Sequence, residues 1–446
     1  MGKDLTQGPI LRTVLSLSIP MTWGMMSVIA FNIADTYFIG QLGKTELAAM
    51  SLTFPVVMIF FSLALGMATA VSSVVARSLG ENNLEKVRRY TSDGLSLGLI
   101  IVFFSIIIGF QLIDPVFTLL GANEETLPMV HEYMEVWLPG MFFLTIPMAG
   151  NGALRAAGEM KIASTIMFVA ALTNIILDPI FIFGWGFIPA FGIKGAAMAT
   201  VISRAVTLVA SLYFLHFKFQ MIDWKVPKLS TALESWKRIM HIAIPTAGTN
   251  LLAPLAMAVA TGLVARIGEA EIAAYGVVNR VESFSLIYIY ALSSAVAPIV
   301  GQNYGAKEYE RVKQVMNASY LLCFFWCVMV AAILILFRTQ IISVFNESYD
   351  VVAVGSFYLL WVPISFGFLG IRLMVSSFYN AIGKPAMSVI LGVINLIVLF
   401  IPLVILGAKF AEMLGVIGAH FVTNLLIGII SWIMISIQIK RKNILQ

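Results

Sequence analysis

The chain has 446 residues, of which 60% are hydrophobic and 11% charged, with a formal net charge of +5. Soluble domains carry about 25% charged residues, so this chain cannot clothe a water-exposed surface, and an ordinary soluble enzyme, a nucleic-acid binder and a disordered scaffold are excluded. What remains is an all-α polytopic membrane protein. Stretches of about 20 mostly apolar residues, long enough to cross a bilayer as helices, run over 13–39, 47–76, 92–113, 130–154, 162–184, 193–216, 239–264, 272–300, 314–337, 351–381, 386–408 and 414–438. Those twelve spans leave loops too short for a soluble domain.

The positions of the basic residues orient the spans. Twenty of the 28 Lys and Arg fall in the terminal and alternate loop segments on one side, five in the other loops and three inside spans. Basic loops stay in the cytoplasm, which puts both termini there and predicts a multi-pass protein of the cell membrane. The largest basic stretch is 217–238, between spans 6 and 7.

The chain also repeats itself at an offset near 225. Ser18-Ile19-Pro20 pairs with Ala243-Ile244-Pro245, Trp137-x-Pro139 with Trp361-x-Pro363, and Gly192-x-x-Gly195-Ala196 with Gly415-x-x-Gly418-Ala419. Each repeat holds six spans, an even number, so both halves enter the membrane from the same side. This predicts an N-terminal lobe over 1–222 and a C-terminal lobe over 223–446, joined by 217–238 and related by a pseudo-two-fold axis along the membrane normal. Two like lobes facing a cleft suit alternating access rather than a fixed pore.

Ionisable residues at membrane depth are costly and are functional candidates by default. Asp35 in span 1 shares a helix face with Asn32, three residues away. Asp178 in span 5 shares a face with Asn174, four away. Thr200 in span 6 begins at a similar depth. The second lobe does not copy this set, since Asp35 aligns with Ala260 and Asp178 with an apolar stretch around 399–403. A cation-coupling site of Asp35, Asn174, Asp178 and Thr200 is therefore expected in the N-terminal lobe alone. Pro20, fifteen residues before Asp35, removes a backbone hydrogen bond and is a candidate hinge. Two carboxylates at one level in an apolar surrounding disfavour double ionisation, which favours protons as the coupling ion. Asn174, Thr200 and backbone carbonyls are the oxygens a sodium site would use. Arg204, Arg280, Glu282 and Arg372 read as structural or lobe-contact charges, and His420 as a packing residue. Cys323 and Cys327 have no further metal ligands nearby, and the reading calls for no cofactor and no metal.

Several runs resemble the multidrug and toxic compound extrusion (MATE) transporters. These are Ile19-Pro20 with Asp35-Thr36-Tyr37-Phe38-Ile39-Gly40, Gly150-Asn151-Gly152-Ala153-Leu154-Arg155-Ala156-Ala157-Gly158, Asn174-x-x-x-Asp178-Pro179, and Gly192-x-x-Gly195-Ala196-Ala197-x-Ala199-Thr200. The likeness covers essentially the whole chain. The placement of the carboxylates is similar to the DinF-like branch, and span 7 lacks the carboxylate that other branches place there. The resemblance implies a non-enzymatic antiporter, monomeric in the bilayer, that exports amphiphilic, often cationic drugs and toxic compounds against an inward flow of protons. Phe31, Asn32 and Tyr37, with Asp35 and Asp178, are its candidate substrate contacts, and Pro20 matches its bending proline. A sodium-coupled exporter, or a flippase for lipid-linked precursors that would use Arg204, Arg280 and Arg372, is the alternative.

Overall fold

The computed structural model describes residues 2–225 and 228–440; Arg441 and Lys442, counted above among the basic terminal residues, lie outside that range. The described chain is helical because no other open structure satisfies every backbone N–H and C=O without water. The first half contains α1 (Ile10–Leu42), α2 (Lys44–Gly80), α3 (Leu84–Leu119), α4 (Thr126–Ala156), α5 (Met160–Phe183) and α6 (Gly192–Tyr213). The second contains α7 (Leu229–Val264), α8 (Glu269–Gly305), α9 (Tyr309–Leu336), the short α10 (Arg338–Ser343), α11 (Tyr349–Trp361), α12 (Phe366–Ala381), α13 (Pro385–Val393) and α14 (Ile401–Lys440). A 3₁₀ turn at Val362–Ser365, with Pro363 in it, joins α11 to α12 as one span. A π-helical turn joins α13 to α14. Inside α14 the backbone breaks at Ala411 and Glu412, where φ reaches −142° and +48°. That break separates the eleventh span from the twelfth, so twelve transmembrane helices result.

The internal repeat survives in the turns. Asn82 and Lys307, 225 apart, follow α2 and α8 with φ of +54° and +63°. Each sits in the same pair of capping bonds, Asn82 N–H to Leu79 O and Asn83 N–H to Ser78 O in one half, Lys307 N–H to Tyr304 O and Glu308 N–H to Asn303 O in the other. This is the Schellman arrangement that satisfies a helix's last carbonyls. Gly158 and Gly383 repeat it after α4 and α12, with φ of +74° and +77°.

The chain forms two compact units, and they part inside helices rather than at the basic stretch 217–238. The first comprises 1–4 and 23–247, the second 5–22 and 248–446. The two cuts within α1 and α7 are again 225 residues apart. Hydrogen bonds explain the assignment. The start of α7 is pinned to α3, where Arg89 donates from Nε to Ser235 Oγ at 2.9 Å and from Nη2 to Thr231 O, and Trp236 donates to Asp93 O at 3.0 Å. Ile239, Ile242 and Ala243 then join the apolar core of the first unit with Val71, Tyr90 and Ala153. The segment leading into α1 is held by α8 and α9 in the same manner. Leu5 N–H donates to Gln302 Oε1 at 2.9 Å, Asn303 Nδ2 to Leu5 O at 3.0 Å, and Arg311 to the carbonyls of Gln7 and Gly8.

In the first unit α4 is the central helix, packed against α2, α3 and α6. It carries Glu132 and Glu135 in its second and third turns and Pro139 and Pro147 farther along. It approaches α2 closely at Gly152, where an added Cβ would collide with the backbone carbonyl oxygen of Ala68. Backbone on a packed helix yields little, so Gly152→Ala is expected to lower stability by about 1–3 kcal/mol, the cost of overpacking a core. Gly40→Ala meets nothing within 4 Å and serves as the control. Thermal unfolding of the two detergent-solubilised variants, with a depressed Tm for Gly152→Ala alone, checks this.

Candidate functional site

The polar layer of the first unit is built by helix spacing. On α5, Asn174 and Asp178 lie one turn apart, and Asn174 Nδ2 donates to Asp178 Oδ1 at 3.1 Å. The same amide reaches Thr200 Oγ1 on α6 at 3.4 Å. Both Asn174 and Asp178 are completely buried. On α1, Asp35 is buried as well. Three oxygens of this group, Asp35 Oδ1, Asn174 Oδ1 and Asp178 Oδ2, are buried without a hydrogen-bond partner among the described residues. Leaving a buried acceptor unpaired costs about 1–3 kcal/mol. A set of orphaned acceptors of this kind is the chemistry that takes up a proton or a small hard cation.

Beside this layer lies a cavity of about 190 Å³. Phe31, Asn32 and Asp35 of α1 and Thr200 of α6 line it, as expected. The rest of its wall is largely apolar and aromatic, with Phe54 and Phe61 of α2 and Tyr133 and Trp137 of α4. Asn174 and Asp178 stand behind the wall and touch it through Thr200. Tyr37 is not brought to the site. It is 62% exposed, and its ring packs edge-on against Phe38. Two residues along a helix turn a side chain to the far face, so Tyr37 points away from the side that Asp35 shares with Asn32. Pro20 is half-buried within an unbroken α1, in the second compact unit.

The sequence reading took Arg204 for a structural or lobe-contact charge and passed over Tyr133. Arg204 lines the cavity, its guanidinium 5.6 Å from the centre of the Phe31 ring. Tyr133 lines the same cavity as Asp35 and Arg204. The signal for Arg204 was present, because it is four residues from Thr200 and so on the same helix face. In the second unit Glu282 accepts a hydrogen bond from Tyr358 at 2.8 Å, and His420, expected as a lone packing residue, pairs with Tyr275 at 3.1 Å.

The MatE family model matches residues 20–180 and again residues 245–406, two copies in register with the internal repeat. The chain belongs to the MATE family. It is 37% identical over 425 residues to the FAD transporter of Shewanella oneidensis, covering 95% of this chain and 94% of that one. It is 26% identical over 415 residues to the probable multidrug resistance protein YpnP of Bacillus subtilis, covering 92% and 91%. Among solved structures, the Vibrio cholerae MATE transporter VcmN matches with a TM-score of 0.92 as a mutant and 0.91 in its bent form, at 27% and 28% identity, each over 98% of both chains. The protein is thus a multi-pass membrane transporter of the MATE family, not an enzyme.

The cavity wall is distinguishable from the layer behind it by chemistry. In a background with Cys323 and Cys327 replaced, Asn32→Cys is expected to react quickly with a small, charged, thiol-directed methanethiosulfonate reagent. Asn174→Cys is expected to react at least tenfold more slowly. Equal labelling rates, read by mass spectrometry, would place Asn174 on the wall and break the layered arrangement.

Proposed function

We propose that this MATE transporter is a proton-driven antiporter that exports amphiphilic aromatic compounds, drugs among them, by alternating access. The observation that carries the reading is the polar layer itself, the buried Asp178 joined to Asn174 and through it to Thr200, with the buried carboxylate of Asp35 on the wall of the adjoining aromatic cavity. An ionised carboxylate only accepts hydrogen bonds, whereas a protonated one also donates. Taking up a proton at Asp35 therefore exchanges its partners, and this exchange favours a bent α1. Bending at Pro20 shrinks the cavity and expels its contents. Support for bending comes from the missing N–H at Pro20 and from the bent form recorded for VcmN. A proton crossing about 100 mV releases about 2.3 kcal/mol, and each pH unit adds about 1.4, enough to drive such a step. The asymmetry of Lys and Arg supports cytoplasmic termini, with Asp35 and Asp178 in the outer half of the membrane. The closeness of two carboxylates favours protons over sodium.

The names of the relatives support a broad, drug-like range through YpnP. A flavin dinucleotide is the second reading, favoured by the 37% identity to a FAD transporter and by the presence of Arg204 on the cavity wall.

Proteoliposomes carrying a pH-sensitive dye test the coupling. In the wild type, adding substrate to acid-loaded vesicles is expected to release protons, and replacing Na⁺ by choline at constant pH to change nothing. Asp35→Asn is expected to abolish the release while the protein still inserts and elutes as a single species. Proton release at the wild-type rate in that variant, or a strict need for Na⁺, would falsify the proton reading. Asn174→Ala and Asp178→Asn are each expected to weaken coupling about tenfold. Their double variant is expected to fall well short of the product, because both belong to one network.

A further inference from the structure

Among the described residues, Arg204 is the only Lys, Arg or His on the wall of the first unit's cavity. A guanidinium at membrane depth normally stands opposite a carboxylate. No carboxylate lies within salt-bridge distance of Arg204 among the described residues. Its guanidinium lies over the Phe31 ring instead. A guanidinium on an aromatic face is held in position while its in-plane N–H groups stay free to pair with a planar or tetrahedral anion.

The charges around it point the same way. Asp35 on α1 is the one carboxylate on the wall, Tyr133 on α4 is a phenol, α2 contributes apolar side chains and the hydroxyl of Thr53, and Asp178 on α5 stands behind the wall. Two close carboxylates disfavour ionising together. With one of them charged, Arg204 cancels it, and with neither charged the site is cationic. An organic cation finds no net attraction in either state, whereas an anion is attracted once both carboxyls are protonated.

We propose that Arg204 selects the charge of the substrate, and that this cavity takes an aromatic ring bearing an anionic group rather than an aromatic cation. The proposal rests on the exporter reading above. Expulsion there follows from the shape of the cavity, not from its charge, so the sign of the cargo is left to Arg204. Export of an anion against an entering proton also moves net charge, whereas exchanging a monovalent cation for a proton moves none. Transport is then accelerated by an inside-negative membrane potential.

Equilibrium binding to the full chain in nanodiscs tests this with three probes: riboflavin 5′-phosphate, riboflavin, which has the same ring without the phosphate, and ethidium, an aromatic cation. The phosphate is expected to bind roughly tenfold or more tighter than riboflavin, as a charge-assisted hydrogen bond implies. Arg204→Gln is expected to bring that ratio close to one, and Arg204→Lys to keep part of it. A merely structural role for Arg204 would weaken both flavins alike and leave the ratio intact. A ratio near one in the wild type, a ratio that survives Arg204→Gln, or tighter binding of ethidium than of the phosphate overturns the proposal. The wild-type comparison decides it even if the variants do not fold. Binding needs no gradient, so a failure of proton coupling in vesicles leaves this result standing, and a failure here leaves the proton reading standing.

Discussion

One side chain, Asn174, ties the polar interior of the first unit together. Its amide donates to Asp178 on its own helix and to Thr200 on α6. An unpaired carboxylate at this depth would be among the most expensive groups a membrane helix can carry. A single amide linked to two acceptors makes it tolerable and sets the register of α5 against α6. Once that register is set, the faces of α1 and α6 that carry Asp35 and Arg204 border one cavity. The aromatic wall contributed by α2 and α4 keeps the site largely apolar, so each polar contact within it carries more weight than it would in water.

Much of this was readable from spacing. Asn174 and Asp178 are one turn apart, as are Asn32 and Asp35, and any helix places such pairs on one face. The twelve spans follow from hydropathy, and even the separation of the last two falls where Lys409 and Glu412 interrupt the apolar run. The 225-residue repeat appears in the sequence as paired Ile-Pro and Trp-x-Pro steps and in the backbone as paired left-handed turns. Tyr37 shows the limit of reading by neighbourhood. It stands two residues from Asp35, and two residues carry it round to the opposite face. Arg204 shows the converse, because its four-residue spacing from Thr200 marked the face, but a lone cation among apolar residues does not disclose that it has no acidic partner.

The borders of the compact units were beyond the sequence for a different reason. Hydropathy and charge describe how a helix meets lipid and water. They do not say which bundle a helix joins when its residues are apolar on several sides. Contacts such as Arg89 with Ser235, or Asn303 with Leu5, link residues about 150 and 300 positions apart. No local pattern announces them.

The exchange of helix ends between the halves bears on biogenesis. Residues 5–22 are made well before their partners on α8 and α9, which lie about 300 residues later in the chain. The N-terminal half therefore leaves the ribosome with its leading segment unclaimed, and the second unit closes only when that segment docks. Chains usually fold domain by domain from the N-terminus, and here that order is interrupted by design of the topology. The symmetry of the exchange, 225 residues apart in both halves, is that of a swapped dimer. A half-length chain paired with its own copy would trade the same leading segment, and fusing the two copies through 217–238 would keep the trade intact within one polypeptide.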